Sequence, residues 1–100
     1  MLRNESLDEI MSILRQALPD LSQKYRVESL GVFGSHVRAE QRRESDLDLL
    51  VTFTEDPGLL EFIELENYLS DLLDLKVDLV MKSALKPRIG ERILQEVIPL

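Results

Sequence analysis

The segment from Asp46 to Phe53 constrains the fold more than any other part of the chain. It alternates acidic and aliphatic residues at its start and then becomes apolar and β-branched, which is typical of a strand with one buried face. Successive side chains point to opposite faces of a strand. Asp46 and Asp48 therefore share one face, and the core-forming face carries Leu47, Leu49 and Val51. An apolar strand face of this kind must be buried against another layer of the protein.

The other periodic segments predict helices and strands around this one. We expect a helix that begins at the capping box Ser6-Leu7-Asp8-Glu9 and is stopped by Pro19, and a brief helix within residues 35–44. Further predicted elements are strands at Val27 to Phe33 and Leu75 to Met81, a helix from Leu59 to Leu73, and a last helix that starts at Pro87. The order α-β-α-β-α-β-α predicts an α/β (α+β) fold, with a small mixed sheet flanked by helices.

Length and composition bound the kind of protein. The chain has 100 residues, of which 44% are hydrophobic, and it contains no visible repeat or linker. These features predict a single domain over residues 1–100. The absence of cysteine excludes a disulfide scaffold, thiol catalysis and zinc–thiolate sites. No apolar run approaches the roughly 20 residues of a membrane span, and the N-terminus does not read as a signal peptide. We therefore expect a cytoplasmic protein that does not contact membrane.

The charge is unevenly distributed along the chain. The net charge is −7, but the residues from Asp46 to Asp78 carry −9 and the remainder +2. Nucleic-acid coating depends on lysine and arginine side chains that neutralise phosphates, so direct nucleic-acid binding is not expected. Most of the central acids are expected to form solvated helix faces.

Three of these acids have strand phasing that indicates a metal site. Asp46 and Asp48 are adjacent same-face carboxylates, which repel each other unless a cation compensates. Asp78 lies in the other apolar strand, Val77-Asp78-Leu79-Val80-Met81, where a lone buried acid would be costly. If the two strands are neighbours, the three carboxylates match the ligands of one or two Mg²⁺ ions in phosphoryl transfer. The alternative is that these are exposed, solvated acids.

A glycine turn completes the pattern. Gly34-Ser35 follows the strand that begins at Val27, where backbone N–H groups and the Ser35 hydroxyl can approach a phosphate. A Gly-Ser pair alone is equally typical of an ordinary turn.

Gly34-Ser35, Asp46-Leu47-Asp48 and Asp78 together resemble the DNA polymerase beta-type nucleotidyltransferase superfamily. The stretch from Gly31 to Val51 is especially similar to the minimal nucleotidyltransferases, the MntA-like antitoxins. The resemblance implies that Asp46, Asp48 and Asp78 are catalytic and hold Mg²⁺, and that Gly34, Ser35 and Arg38 bind the nucleotide. Val37 and Ala39 depart from the alanine and glycine usual at those positions of the family. Because alanine tolerates a positive φ poorly, we expect the change at residue 39 to alter the turn after the short helix and the placement of Arg38.

The resemblance also implies a function. We expect a Mg²⁺-dependent enzyme that transfers AMP from ATP to a hydroxyl, that of a tyrosine on a cognate HEPN-domain ribonuclease toxin, and thereby acts as an antitoxin. One alternative is a non-catalytic antitoxin that neutralises the toxin by binding, with the stripe of Ile89, Ile93 and Val97 as a possible interface. Another is a carboxylate–metal phosphohydrolase.

Overall fold

A four-stranded mixed sheet organises the protein, and the computed structural model describes residues 7–38 and 46–100. The α-helices are α1 (Leu7–Tyr25), α2 (Leu59–Leu73) and α3 (Pro87–Glu96); the strands are β1 (Val27–Phe33), β2 (Leu47–Phe53), β3 (Val77–Met81) and β4 (Ile98–Pro99). Short 3₁₀ turns occupy Gly34–His36 and Lys82–Ala84. Ser6 of the predicted capping box and residues 39–44 of the predicted brief helix lie outside the described residues.

The strand order is β3-β2-β1-β4. β2 runs antiparallel to β1 and parallel to β3, while β4 pairs antiparallel with β1 through only two residue pairs. The predicted mixed sheet flanked by helices is therefore confirmed. β4 was not predicted, because two residues that include a proline carry no alternation from which a strand can be inferred.

Helices α1 and α2 cover one face of the sheet and form the core with it. The predicted core face of β2 is confirmed, since Leu47, Leu49 and Val51 are at most 1% exposed. They pack with helix residues that are equally buried, among them Ile10, Leu14, Leu65 and Leu69. α3 contributes no residue to this core cluster. The opposite face of the sheet, which carries Asp48, is not covered by α1 or α2.

The prediction that Pro19 stops the first helix is wrong, because α1 continues through Pro19 to Tyr25. A proline inside a helix costs roughly 3 kcal/mol, since it removes one backbone hydrogen bond and its ring crowds the carbonyl four residues earlier. Here Pro19 is exposed, so water can reach that carbonyl. The last turns of α1 bury Leu21 and Tyr25. Burial of two large side chains contributes about 1.5–3 kcal/mol each, which offsets the proline penalty.

Side chains of α2 protect the outer edge of β3, which pairs with no further strand in the described segments. The backbone N–H of Val77 donates to Ser70 Oγ at 3.0 Å, and that of Leu79 donates to the Glu66 carboxylate at 2.9 Å. β3 begins two residues later than predicted, because Asp74 adopts a left-handed conformation (φ 54°) that ends α2 with a turn. The same turn directs β3 back beside β2.

Candidate active site

Asp48 and Asp78 lie side by side across two parallel strands. They are register partners in the β2–β3 pair, and Asp48, when protonated, donates a hydrogen bond to the Asp78 carboxylate. Asp78 is exposed and so avoids the cost of a lone buried acid, and Asp48 is the half-buried member of the pair. The reason is the sheet face on which they lie, which α1 and α2 do not cover.

The electrostatics of Asp48 show that the predicted carboxylates act on one another. Burial, the charges of Asp78 and Asp46, and the hydrogen bond with Asp78 together raise the pKa of Asp48 to about 6. The positive charge of Arg38 acts in the opposite sense. Four of the residues singled out in the sequence thus share one electrostatic environment.

The carboxylate pair fits a hard divalent cation. Crowded, partly desolvated carboxylates favour an ion that supplies positive charge and takes oxygen ligands. Asp48 and Asp78 would hold such an ion, with Asp46 immediately before β2. Within residues 7–38 and 46–100, no three acidic or histidine side chains are already drawn together as a closed metal cage. The fit therefore rests on the paired oxygens of Asp48 and Asp78.

Gly34 brings backbone against this pair. Its φ of +85° is a left-handed conformation that favours glycine, and a Cβ added there would overlap the Asp48 carboxylate. A side chain at this position is thus excluded both by conformation and by space. The N–H of Gly34 donates to Glu96 Oε2 at 2.7 Å. The glycine turn consequently places an N–H donor next to the acidic pair.

Glu96, the last residue of α3, links the glycine turn to Arg38. Arg38 Nη1 donates to Glu96 Oε1 at 2.8 Å and to Oε2 at 3.1 Å. Burial acts to raise the pKa of Glu96, but the Gly34 hydrogen bond, Arg38 and the charge of Arg92 together hold it below its usual range. Glu96 is therefore an anion held by two donors that were both predicted to bind the nucleotide.

Sequence reasoning missed Glu96, because an acid at the end of an amphipathic helix reads as solvated surface. One signal was available: a negative charge at a helix C-terminus is disfavoured by the helix dipole and calls for a compensating partner.

A cleft with a volume of about 260 Å³ opens beside these residues. It is lined by Phe33, Gly34, Arg38, Asp48, Ile89, Arg92, Ile93 and Glu96. Three of the predicted site residues, Gly34, Arg38 and Asp48, are thus brought together. Ser35 is half-buried in the 3₁₀ turn and does not line the cleft, nor do Asp46 and Asp78.

His36 is buried in the turn that follows β1, with 8% of its surface exposed. Burial lowers its pKa, so the imidazole is neutral at pH 7. Its Nδ1 has no hydrogen-bond partner among the residues that the structure describes.

No helix in the described segments is both long and apolar enough to cross a membrane.

Comparison with known sequences agrees with the geometry. The family described as "Nucleotidyltransferase domain" matches residues 14–100. The chain is 53% identical over 93 residues to the protein adenylyltransferase MntA of Thermococcus cleftensis, covering 93% of this chain and 94% of that protein. It is 50% identical over 95 residues to a proposed protein adenylyltransferase of Methanocaldococcus jannaschii, covering 94% of this chain and 97% of that protein.

Solved structures share the fold. A proposed minimal nucleotidyltransferase superposes with a TM-score of 0.80 at 39% identity, covering 97% of this chain and 98% of the other. A toxin–antitoxin crystal structure with AMP-PNP superposes with a TM-score of 0.68 at 24% identity, covering 92% and 69% of the two chains. The predicted fold and the prediction of a nucleotidyltransferase enzyme are confirmed by the family match and by the 53% identical relative. This chain belongs to the nucleotidyltransferase domain family.

Proposed function

We propose that this protein is a Mg²⁺-dependent adenylyltransferase that transfers AMP from ATP to a tyrosine hydroxyl of a HEPN-domain ribonuclease toxin, and so acts as its antitoxin in the cytoplasm. The observation that carries the proposal is the Asp48–Asp78 carboxylate pair beside the N–H of Gly34. It occurs in a chain that is 53% identical to a protein adenylyltransferase over 93% of its length.

The carboxylates and the glycine turn have separate roles in this reaction. Asp46, Asp48 and Asp78 would hold the metal, and bound Mg²⁺ supplies positive charge that stabilises the α-phosphate and the departing pyrophosphate. The N–H of Gly34, the Ser35 hydroxyl and the Arg38 guanidinium donate to phosphate oxygens.

Asp78 faces the acceptor. Its exposed carboxylate accepts the proton of the tyrosine hydroxyl as that oxygen bonds to the α-phosphorus. The bond from the α-phosphorus to the bridging oxygen breaks, and pyrophosphate leaves with that oxygen.

The proposed partner is supported by fold similarity to toxin–antitoxin complexes. One such structure contains a tri-AMPylated HEPN toxin of Shewanella oneidensis bound to an MNT antitoxin, and it superposes on this chain with a TM-score of 0.59 at 21% identity. This similarity concerns the fold, so the acceptor requires an experiment.

The test is transfer of label from α-labelled ATP in the presence of Mg²⁺ and a purified HEPN toxin from the same genome. We expect label on the toxin with wild-type protein, none with Asp46→Asn/Asp48→Asn, and none after chelation of divalent ions. A double variant on exposed α2, Glu64→Gln/Asp71→Asn, removes the same charge away from the site and is expected to transfer normally. Equal labelling by wild type and the Asp46/Asp48 variant would contradict the enzymatic proposal.

A non-catalytic antitoxin is the second candidate, and one observation favours it. Glu96 occupies the Gly34 N–H and Arg38 donors, so the phosphate-binding groups are already engaged within the chain. If the Asp46→Asn/Asp48→Asn variant protects cells from the toxin as well as wild type does, neutralisation occurs by binding alone.

A further inference from the structure

Glu96 is held in a way that resembles a bound anion more than a surface ion pair. One of its oxygens, Oε2, accepts from both the Gly34 N–H (2.7 Å) and Arg38 Nη1 (3.1 Å), while Oε1 accepts from Arg38 at 2.8 Å. A backbone N–H in a glycine turn together with a guanidinium is the donor set that proteins use for phosphate oxygens. The carboxylate therefore fills an anion site that the chain itself builds.

The position of Glu96 in α3 is unfavourable without these donors. It is the last residue of the helix, whose C-terminal turn contains no basic residue. The helix dipole disfavours a negative charge there. The Glu96 side chain is nevertheless only 25% exposed, which adds the cost of partial desolvation. Hydrogen bonds from Gly34 and Arg38 are what offset both effects.

We propose that the Glu96 carboxylate is a built-in competitor of the nucleotide, occupying the position of a phosphate group between Gly34 and Arg38 until ATP displaces it. The inference rests on the proposed function, because it takes these two residues as phosphate contacts. One N–H cannot make a full hydrogen bond to two anions at once, so phosphate and Glu96 exclude each other at Gly34.

Arg92 offers the displaced Glu96 side chain a second partner. Arg92 lies one helical turn before Glu96, at the i, i+4 spacing at which side chains meet, and its charge already acts on the Glu96 carboxylate. Arg92 also lines the cleft. When Glu96 leaves, it can pair with Arg92, and the hydrogen bonds that Gly34 and Arg38 donated to Glu96 can be donated to phosphate instead.

The test measures binding of AMP-PNP, with no acceptor present, by titration calorimetry on the full chain in Mg²⁺. Glu96→Gln keeps the size of the side chain and an oxygen acceptor for Gly34, but removes the charge that holds Arg38. We expect its Kd for AMP-PNP to fall about tenfold, equivalent to about 1.4 kcal/mol. Glu91→Gln removes a charge from the exposed side of the same helix and controls for general repulsion of the anionic nucleotide. It is expected to change Kd less than twofold.

The outcomes separate this inference from the proposed function. If wild type binds AMP-PNP and Glu96→Gln binds it equally or more weakly, Glu96 supports Arg38 rather than competing with phosphate, and the inference is overturned while the proposed function stands. If Glu91→Gln tightens binding as much as Glu96→Gln, the effect is long-range charge and the inference again fails. If neither wild type nor Glu96→Gln binds, the proposed nucleotide site is itself wrong. A thermal melt of each variant confirms that it is folded.

Discussion

Asp48→Asn is expected to make the protein more stable while it abolishes nucleotidyl transfer. The half-buried carboxyl group of Asp48 donates a hydrogen bond to Asp78 when it is protonated, and it is repelled by both Asp78 and Asp46 when it is ionised. The amide of asparagine has nearly the same shape, carries no charge and can donate to the Asp78 carboxylate. The charge of Asp48 therefore lowers the stability of the folded protein while the proposed reaction requires it.

The magnitude follows from the pKa of Asp48, which is raised from 3.8 to about 6. Each pK unit corresponds to about 1.36 kcal/mol, so the charged form is destabilised by at most about 3 kcal/mol. The site is open to solvent, and screening reduces this to about 1.5 kcal/mol.

The pH dependence has a defined sign. The folded protein retains a proton on Asp48 that the unfolded chain has lost, so the stability of wild type falls as pH rises from about 4 to about 6. The advantage of Asp48→Asn should be absent below about pH 4 and complete above about pH 6.

The assay is urea unfolding followed by far-UV circular dichroism at pH 4 and pH 8 in chelator. The matched control is Asp71→Asn, which makes the same change in net charge on the exposed surface of α2. A gain of about 1.5 kcal/mol corresponds to a Tm increase of about 6–12 °C for a domain of this size. Added Mg²⁺ should reduce the difference in stability between Asp48→Asn and wild type, because it binds and stabilises the folded wild-type protein. If Asp48→Asn is no more stable than Asp71→Asn at pH 8, the carboxylates do not crowd one another and the reasoning is refuted.

Substitutions at three further sites test other parts of the structure, each by urea unfolding. Gly34→Ala should lower the free energy of unfolding by about 1–3 kcal/mol and abolish nucleotidyl transfer, because φ at residue 34 is +85° and the added Cβ meets the Asp48 carboxylate. Unchanged stability would mean that the turn is not left-handed. Glu66→Ala should lower the free energy of unfolding by about 1–2 kcal/mol, because the N–H of Leu79 loses its acceptor. Glu66→Gln keeps an acceptor oxygen there and should retain most of the wild-type stability. Leu49→Ala should lower the free energy of unfolding by about 2–5 kcal/mol, because Leu49 is buried. Leu60→Ala is the control, since Leu60 is 81% exposed, and should change the free energy of unfolding by less than about 0.5 kcal/mol. Similar losses in the two variants would mean that β2 does not form the core.

The parts of the fold that could be predicted are those with a local periodic signal. The alternation from Asp46 to Val51 established both the core face of β2 and the acidic face, because strand geometry leaves no other assignment for such a pattern. The helix from Leu59 to Leu73 was predicted to the residue, since its apolar stripe is bounded by a turn at each end.

The features that escaped prediction depend on contacts between distant residues. α1 passes through Pro19 because later residues of the helix are buried, which local propensity does not reveal. The exposure of Asp78 depends on which face of the sheet the helices cover. Glu96 reaches a residue 62 positions earlier in the chain, and only the packing of α3 beside the glycine turn brings the two together.

The two ends of the sheet bear on how the protein behaves at high concentration. Unpaired strand edges are templates on which other chains add strands and aggregate. On β3, Ser70 and Glu66 already satisfy the outward N–H groups of Val77 and Leu79, so an approaching strand finds those donors taken. At the other end, β4 is two residues long and contains Pro99, which has no N–H to offer. Because neither edge of the described sheet offers a row of free N–H groups, this four-stranded sheet is expected to resist edge-to-edge aggregation, although it is not closed into a barrel.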